Sequence, residues 1–298
     1  MTRHFTATGW SHRLARVSQG RPGHIVDTLI AERGRKIVHH PLWPLLRPFL
    51  HAMLHYDRAV EFADAVANMP GFQAFEHVSR ILSLDIRVDR PEHIPERGGF
   101  LLVANHPTGI ADGIALFDLL KTRRPDMMFF ANRDAVRVNP RLVEMVIPVE
   151  WREEHKTKLK ARETLAVTNR AIGEGKATVL FPSGRIAYWA DGRLNERPWK
   201  GSAVGFARKY GLPVLPVHMR ARNSGLFYWL ARWNTELRDM TVFHELLNKT
   251  GDRFDITIGR MIAPEALDGD VAQVTRALEH HTVAALATNA DAAFSRGS

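Results

Sequence analysis

The chain has 298 residues, 45% of them hydrophobic and 24% charged, which suits a folded protein with a sizeable core and excludes a fibrous or low-complexity chain. It contains no cysteine, so disulfides, a thiol nucleophile and thiolate metal ligation are excluded. Lys and Arg number 41 against 32 Asp and Glu, a formal charge of +9, which favours an anionic partner: nucleic acid, an anionic lipid surface or a phosphorylated substrate.

Residues 1–36 form a basic N-terminal arm, polar and rich in Gly, Ser and His. It lacks the apolar centre of a signal peptide, and a short helix is expected over Ile25 to Arg33. Residues 37–84 form a second, helical region. Its run from Pro41 to Leu54 is apolar but broken by Pro44, Arg47, Pro48 and His51, and is too short to span a bilayer. Arg33, Arg35, Lys36, His39 and His40 precede it, and basic residues beside an aromatic, leucine-rich face suit a segment lying in a membrane interface. The other reading is a helical hairpin that buries Trp43, Leu46, Phe49 and Leu50. Further helices are expected over Tyr56 to Met69 and Phe72 to Leu84.

From residue 85 to 298 strand and helix signals alternate, which predicts an α/β domain closed by a C-terminal helix. Strands are expected over Asp85 to Asp89, Phe100 to Ala104, Asp126 to Ala131, Ala177 to Phe181, Pro213 to His218 and Phe254 to Gly259, with an apolar run over Leu142 to Val149. Helices are expected over Ile110 to Leu120, Arg162 to Gly173 (Leu165 and Ile172 inward), Pro198 to Tyr210 and Asp270 to Ala287. In the last of these Val271, Val274, Leu278 and Thr282 share one stripe.

The stretch Phe100-Leu-Leu-Val-Ala-Asn-His106-Pro-Thr-Gly-Ile-Ala-Asp112 carries the chemistry. His106 stands at a strand tip and Asp112 in the first turn of the following helix, at the carboxyl end of a sheet where open α/β folds place their ligands. A neutral imidazole, with a free pKa of about 6.5, takes a proton from a hydroxyl near neutral pH. A carboxylate on its other nitrogen fixes the tautomer and stabilises the imidazolium. The plain alternative is that His106 closes a turn and Asp112 caps a helix.

Three strand tips stand in order: Asn105-His106 to Asp112, Phe181-Pro-Ser-Gly-Arg185, and Leu212-Pro-Val-Leu-Pro-Val217. Together they resemble the PlsC-like glycerolipid (lysophospholipid) acyltransferase family over most of residues 80 to 263. The likeness is nearest to the hemolysin-like branch, where five residues separate the His and Asp in place of the commoner four. Asn195-Glu-Arg-Pro-Trp-Lys200, Arg222-Asn-Ser-Gly-Leu-Phe-Tyr228 and Glu245-Leu-Leu-Asn-Lys249 also look like that branch.

The resemblance implies a mixed central sheet flanked by helices. It implies transfer of a fatty acyl chain from an acyl carrier protein or CoA thioester to a lyso-lipid hydroxyl, either lysophosphatidate or an amino-acid-linked lyso-lipid such as lyso-ornithine lipid. His106 matches the catalytic base and Asp112 its partner; no cofactor beyond the acyl donor and no metal is implied. Many members carry Phe-Pro-Glu-Gly followed by Thr-Arg, whereas Ser183 stands here in the Glu position and Arg185 in the Thr position. Arg185 is then the candidate phosphate clamp, Ser183 and Gly184 candidate acceptor contacts, and Arg133 a candidate acceptor-binding residue. An anionic membrane surface at the cytoplasmic face is the expected location, with peripheral or monotopic attachment.

Two other functions compete. A lipid esterase would pair His106 with Ser183 as nucleophile, although no Gly-x-Ser-x-Gly elbow is present. A non-enzymatic basic binder of membrane or nucleic acid would ignore His106, and no nucleic-acid-binding motif is evident. The remaining histidines His39, His40, His51, His55, His280 and His281 read as solvated or interfacial.

Overall fold

The computed structural model describes residues 23–150 and 152–296; most of the basic arm, residues 1–22, lies outside the described residues. The chain divides into two compact units. One comprises the residues up to Asn68 together with Ser224–Asn248, the other Met69–Asn223 together with Lys249–Ser298.

Among the described residues the larger unit holds nine strands: β1 (Asp85–Asp89), β2 (Phe100–Ala104), β3 (Met128–Asn132), β4 (Val146–Val149), β5 (Ala177–Leu180), β6 (Tyr188–Ala190), β7 (Arg193–Asn195), β8 (Val214–Arg220) and β9 (Arg253–Ile258). Seven form one sheet in the order β1-β9-β8-β2-β5-β3-β4, and β6 and β7 form a separate antiparallel hairpin. Only the β8–β9 pairing in the large sheet is antiparallel, so β8, β2, β5, β3 and β4 all point one way. This is the α/β domain that the alternation of elements predicts, with the mixed sheet flanked by helices that the resemblance implies. β2 is fully buried along its length and has β8 and β5 as parallel neighbours, which explains its unbroken apolar run. The turns after β8, β2 and β5 therefore emerge side by side at one edge.

Helices cover both faces of this sheet. Helix Gly71–Leu82 is part of this unit, not of the N-terminal helical region. Its Phe75 ring packs on Phe117 and Phe129 with centroids 5.4 and 5.1 Å apart, and the Ser79 hydroxyl donates to Asp118 at 2.6 Å. The expected boundary at residue 84 thus differs from the packing: aromatic side chains, invisible as a boundary signal, tie this helix to the sheet.

Several inward-facing assignments differ as well. Leu165 is exposed, and helix Lys158–Gly173 faces the sheet with Thr164, Thr168 and Ala171 instead. Thr164 donates to the Pro148 carbonyl at 2.6 Å, so small hydrogen-bonding residues allow the close approach that a leucine would block. Val271 is likewise exposed, while Val274, Leu278 and Thr282 are buried. Helix Ser202–Tyr210 starts later than Pro198 because the preceding peptides are spoken for: the Trp199 amide donates to Glu279 and the Lys200 amide to the Pro182 carbonyl. The C-terminal helix, Val271–His280, widens into a π-helical turn over His281–Ala285, where His281 is buried rather than solvated.

The smaller unit is wholly helical among the described residues. Helix Ile25–Arg33 forms where the sequence places it, begun by His24, whose Nδ1 accepts from the Val26 amide at 3.2 Å. Helices Trp43–Met53 and Tyr56–Val66 follow. Helices Gly225–Trp233, Thr235–Met240 and Val242–Leu247, which the sequence pattern did not announce, pack in the same unit. The Lys36 amide donates to Glu236 at 2.9 Å. Of the four residues offered for a buried hairpin, Leu50 is buried while Leu46 and Phe49 are exposed. His51 is also buried, stacked on Tyr56 with centroids 4.1 Å apart, so it too departs from the solvated reading. Among the described residues no helix is long and apolar enough to cross a membrane.

Candidate active site

The turn after β2 brings His106 and Asp112 together. His106 Nδ1 lies 2.8 Å from Asp112 Oδ2, with the histidine 17% exposed and the aspartate fully buried. The geometry comes from a glycine. Gly109 adopts φ +102°, ψ −124°, a conformation that an L side chain rarely takes, and this folds the chain back so that helix Ile110–Leu120 begins beneath the imidazole. Asp112 sits at the third helical position, and Oδ2 also accepts from the Thr108 and Gly109 amides at 2.9 Å each. The Thr108 hydroxyl donates to Oδ1. Asp112 is therefore both the helix cap of the plain reading and the partner of His106; one carboxylate does both.

One further contact holds the ring. It stacks on Phe181, the residue that follows β5, with centroids 4.2 Å apart and planes 23° from parallel. Its Nε2 has no hydrogen-bond partner among the described residues. The arrangement leaves a histidine with one nitrogen tied to a buried carboxylate and the other free for a substrate, which is the requirement for a general base.

The His106 peptide is fastened on both sides by the chain that follows β5. Its carbonyl accepts from the Ala187 amide at 2.9 Å, and its amide donates to Glu196 Oε2 at 3.2 Å. Glu196 lies just past β7, inside the Asn195–Lys200 stretch. Burial pushes its carboxyl above the ordinary glutamate value. Ser183 and the His106 amide pull the other way, and the Asp112 charge adds to the rise. The other oxygen, Oε1, is buried and receives no hydrogen bond.

The remaining candidates fall in different places. Ser183 is buried, and its hydroxyl donates to the Arg185 carbonyl at 2.9 Å. No hydrogen bond joins it to His106, so it is not arranged as a nucleophile activated by that base. Gly184 turns the loop with φ +63°, and a Cβ there would lie 3.5 Å from Lys200 Nζ, which places the ammonium over the turn. Arg185 is exposed, and neither it nor Lys200 forms an ion pair among the described residues. Arg133, beyond the tip of β3, is separated from β2 by β5. It pairs with Glu163 at 2.9 Å, and its Nε and Nη2 are buried without hydrogen-bond partners. No hydrogen bond or ion pair joins it to His106, Ser183 or Arg185.

Sequence reasoning passed over three residues of this site. Asn105 is buried and bridges to β8, Asn223 Nδ2 donates to the Thr108 carbonyl at 3.1 Å, and Glu196 reaches the His106 amide. All three act on backbone groups across strands, and nothing in their local sequence signals the partner. Among the described residues no group of three or more His, Cys, Asp or Glu is placed to hold a metal ion.

Residues 85–220 match the acyltransferase family model. A lyso-glycine lipid O-acyltransferase from Phocaeicola vulgatus is 24% identical over 252 residues, covering 82% of this chain and 87% of that protein. A second protein of the same description, from Bacteroides thetaiotaomicron, is 22% identical over 228 residues, covering 74% of this chain and 81% of its own length. The crystal structure of the 1-acyl-sn-glycerophosphate (LPA) acyltransferase PlsC from Thermotoga maritima superposes with a TM-score of 0.47 at 17% identity, over 72% of this chain and 78% of that one.

Proposed function

We propose that this chain is a PlsC-like lyso-lipid O-acyltransferase, that its acceptor is an amino-acid-linked lyso-lipid and that His106 is the general base. The relatives named for lyso-glycine lipid favour this acceptor class over lysophosphatidate. The donor is a thioester of acyl carrier protein or of CoA, which share the phosphopantetheine arm.

One observation carries the mechanism: the 2.8 Å contact between His106 Nδ1 and buried Asp112, with Nε2 left without a protein partner. Nε2 takes the acceptor hydroxyl proton as that oxygen attacks the thioester carbonyl carbon. The C–O bond forms, the C–S bond breaks, and the departing sulfur recovers the proton from the imidazolium. Asp112 keeps the proton on Nδ1 and offsets the positive charge that forms on the ring. A thioester is already activated, so positioning and one base carry much of the barrier. Arg185 and Lys200, two cations at the loop after β5, supply a site for the carboxylate of the acceptor or the phosphates of the donor.

The same reading places the protein on the anionic cytoplasmic face of a membrane. The smaller unit supports it: Leu45 is 77% exposed, Phe49 66% and Trp233 75%, and such residues stay in water only at a cost.

The test is transfer by the purified protein from acyl-ACP or acyl-CoA to lyso-glycine lipid, lyso-ornithine lipid and lysophosphatidate in mixed micelles. Turnover with the amino-acid lyso-lipids, lost by about a thousandfold or more in His106→Ala, is the expected outcome. Turnover retained in a folded His106→Ala protein removes the base assignment, and turnover with lysophosphatidate alone removes the acceptor assignment.

A further inference from the structure

Glu196 is a buried carboxyl group that the mechanism above does not use. It forms no ion pair with any Lys or Arg among the described residues. The groups facing it are His106 and Asp112 from the turn after β2 and Ser183 from the loop after β5. The directions of the hydrogen bonds around it limit its protonation state. The His106 amide is a donor and occupies Oε2. The Ser183 hydroxyl has a single proton, and that proton goes to the Arg185 carbonyl at 2.9 Å. Oε1 is buried with no hydrogen-bond partner. An ionised carboxylate would leave a charge on that oxygen uncompensated, whereas a carboxylic acid can place its own proton there.

We propose that Glu196 works as a neutral carboxylic acid that positions the general base, its carbonyl oxygen holding the His106 amide. The hairpin of β6 and β7 exists at this point to deliver it, since Ala187 and Glu196, at its two ends, take the carbonyl and amide of the same residue. The raised pKa of the carboxyl agrees with this state. Glu196 touches no substrate in this scheme; it acts through His106, and the inference rests on His106 being the base.

Glu196→Gln is the discriminating variant, because an amide is uncharged like the acid and its oxygen still accepts from the His106 amide. It should keep kcat within about threefold of wild type, whereas Glu196→Ala, which leaves that buried amide unanswered, should lower kcat by about tenfold or more with KM little changed. Glu196→Gln should also remove the alkaline fall in kcat that ionisation of Glu196 imposes on the wild type. A readout independent of turnover is infrared difference spectroscopy of wild type against Glu196→Gln. A carboxylic-acid C=O band should be present in the wild type and vanish as pH rises. A carboxylate band in its place across the pH range of activity, or a folded Glu196→Gln protein as inactive as Glu196→Ala, overturns the proposal. Should His106→Ala prove active, the reading of the base fails instead, and the infrared band still reports on Glu196 alone.

Discussion

Asn105 and Met219 exchange two hydrogen bonds: Asn105 Nδ2 donates to the Met219 carbonyl at 2.8 Å, and the Met219 amide donates to Asn105 Oδ1 at 2.7 Å. The asparagine side chain thus imitates a strand residue and prolongs the β2–β8 pairing by one step beyond Ala104. This locks the residue next to His106 to the neighbouring strand. Asn105→Ala strands two buried backbone groups and should cost about 1–3 kcal/mol of stability by thermal or denaturant unfolding. Asn105→Asp should do no better, because a carboxylate has no donor for the Met219 carbonyl.

Asp112→Asn separates orientation from charge. The amide oxygen can still accept from His106, Thr108 and Gly109, so the turn should survive with a loss of about 1–3 kcal/mol. The imidazolium formed during transfer would lose its counter-charge. We expect kcat to fall by about a hundredfold or more with KM little altered, measured in steady-state transfer assays.

Glu196 predicts a pH-dependent stability. Its folded pKa is raised, so its contribution is fully present below the ordinary glutamate value and is lost as pH rises from there through the folded value. Glu196→Gln has no such loss. Its melting temperature should match the wild type in mild acid and exceed it increasingly as the medium becomes neutral. Parallel melting curves at all pH values would contradict the burial of an ionisable group there.

Arg185 is exposed and forms no ion pair among the described residues, so Arg185→Ala should leave the melting temperature unchanged. If it holds an anionic group of either substrate, KM for that substrate should rise by about tenfold, and added salt should weaken the wild type more than the variant.

Leu45 and Phe49 stand on one helix with most of their surface in water. Leu45→Glu with Phe49→Glu should reduce co-sedimentation with vesicles containing anionic lipid, while the circular dichroism spectrum stays as in the wild type. Unchanged sedimentation would show that this helix does not meet the bilayer.

The sequence by itself determined the sheet strands and the His106–Asp112 pair. Both are local: β2 is an unbroken apolar run, and a histidine and an aspartate either side of one glycine turn meet through short-range geometry alone. The resemblance to acyltransferases was legible for the same reason, in short motifs at strand tips. Local pattern misjudged Leu165 and Val271, because which stripe of a helix faces the core depends on what lies opposite, and it missed the helices of 225–247 within a stretch of mixed polarity. Tertiary structure alone decided that Arg133 pairs with Glu163, that Ser183 spends its proton on Arg185, and that Glu196, ninety positions along the chain, closes on the His106 amide. Those choices follow from parallel strands setting distant turns side by side, where buried donors must find acceptors, and no sequence window spans that distance.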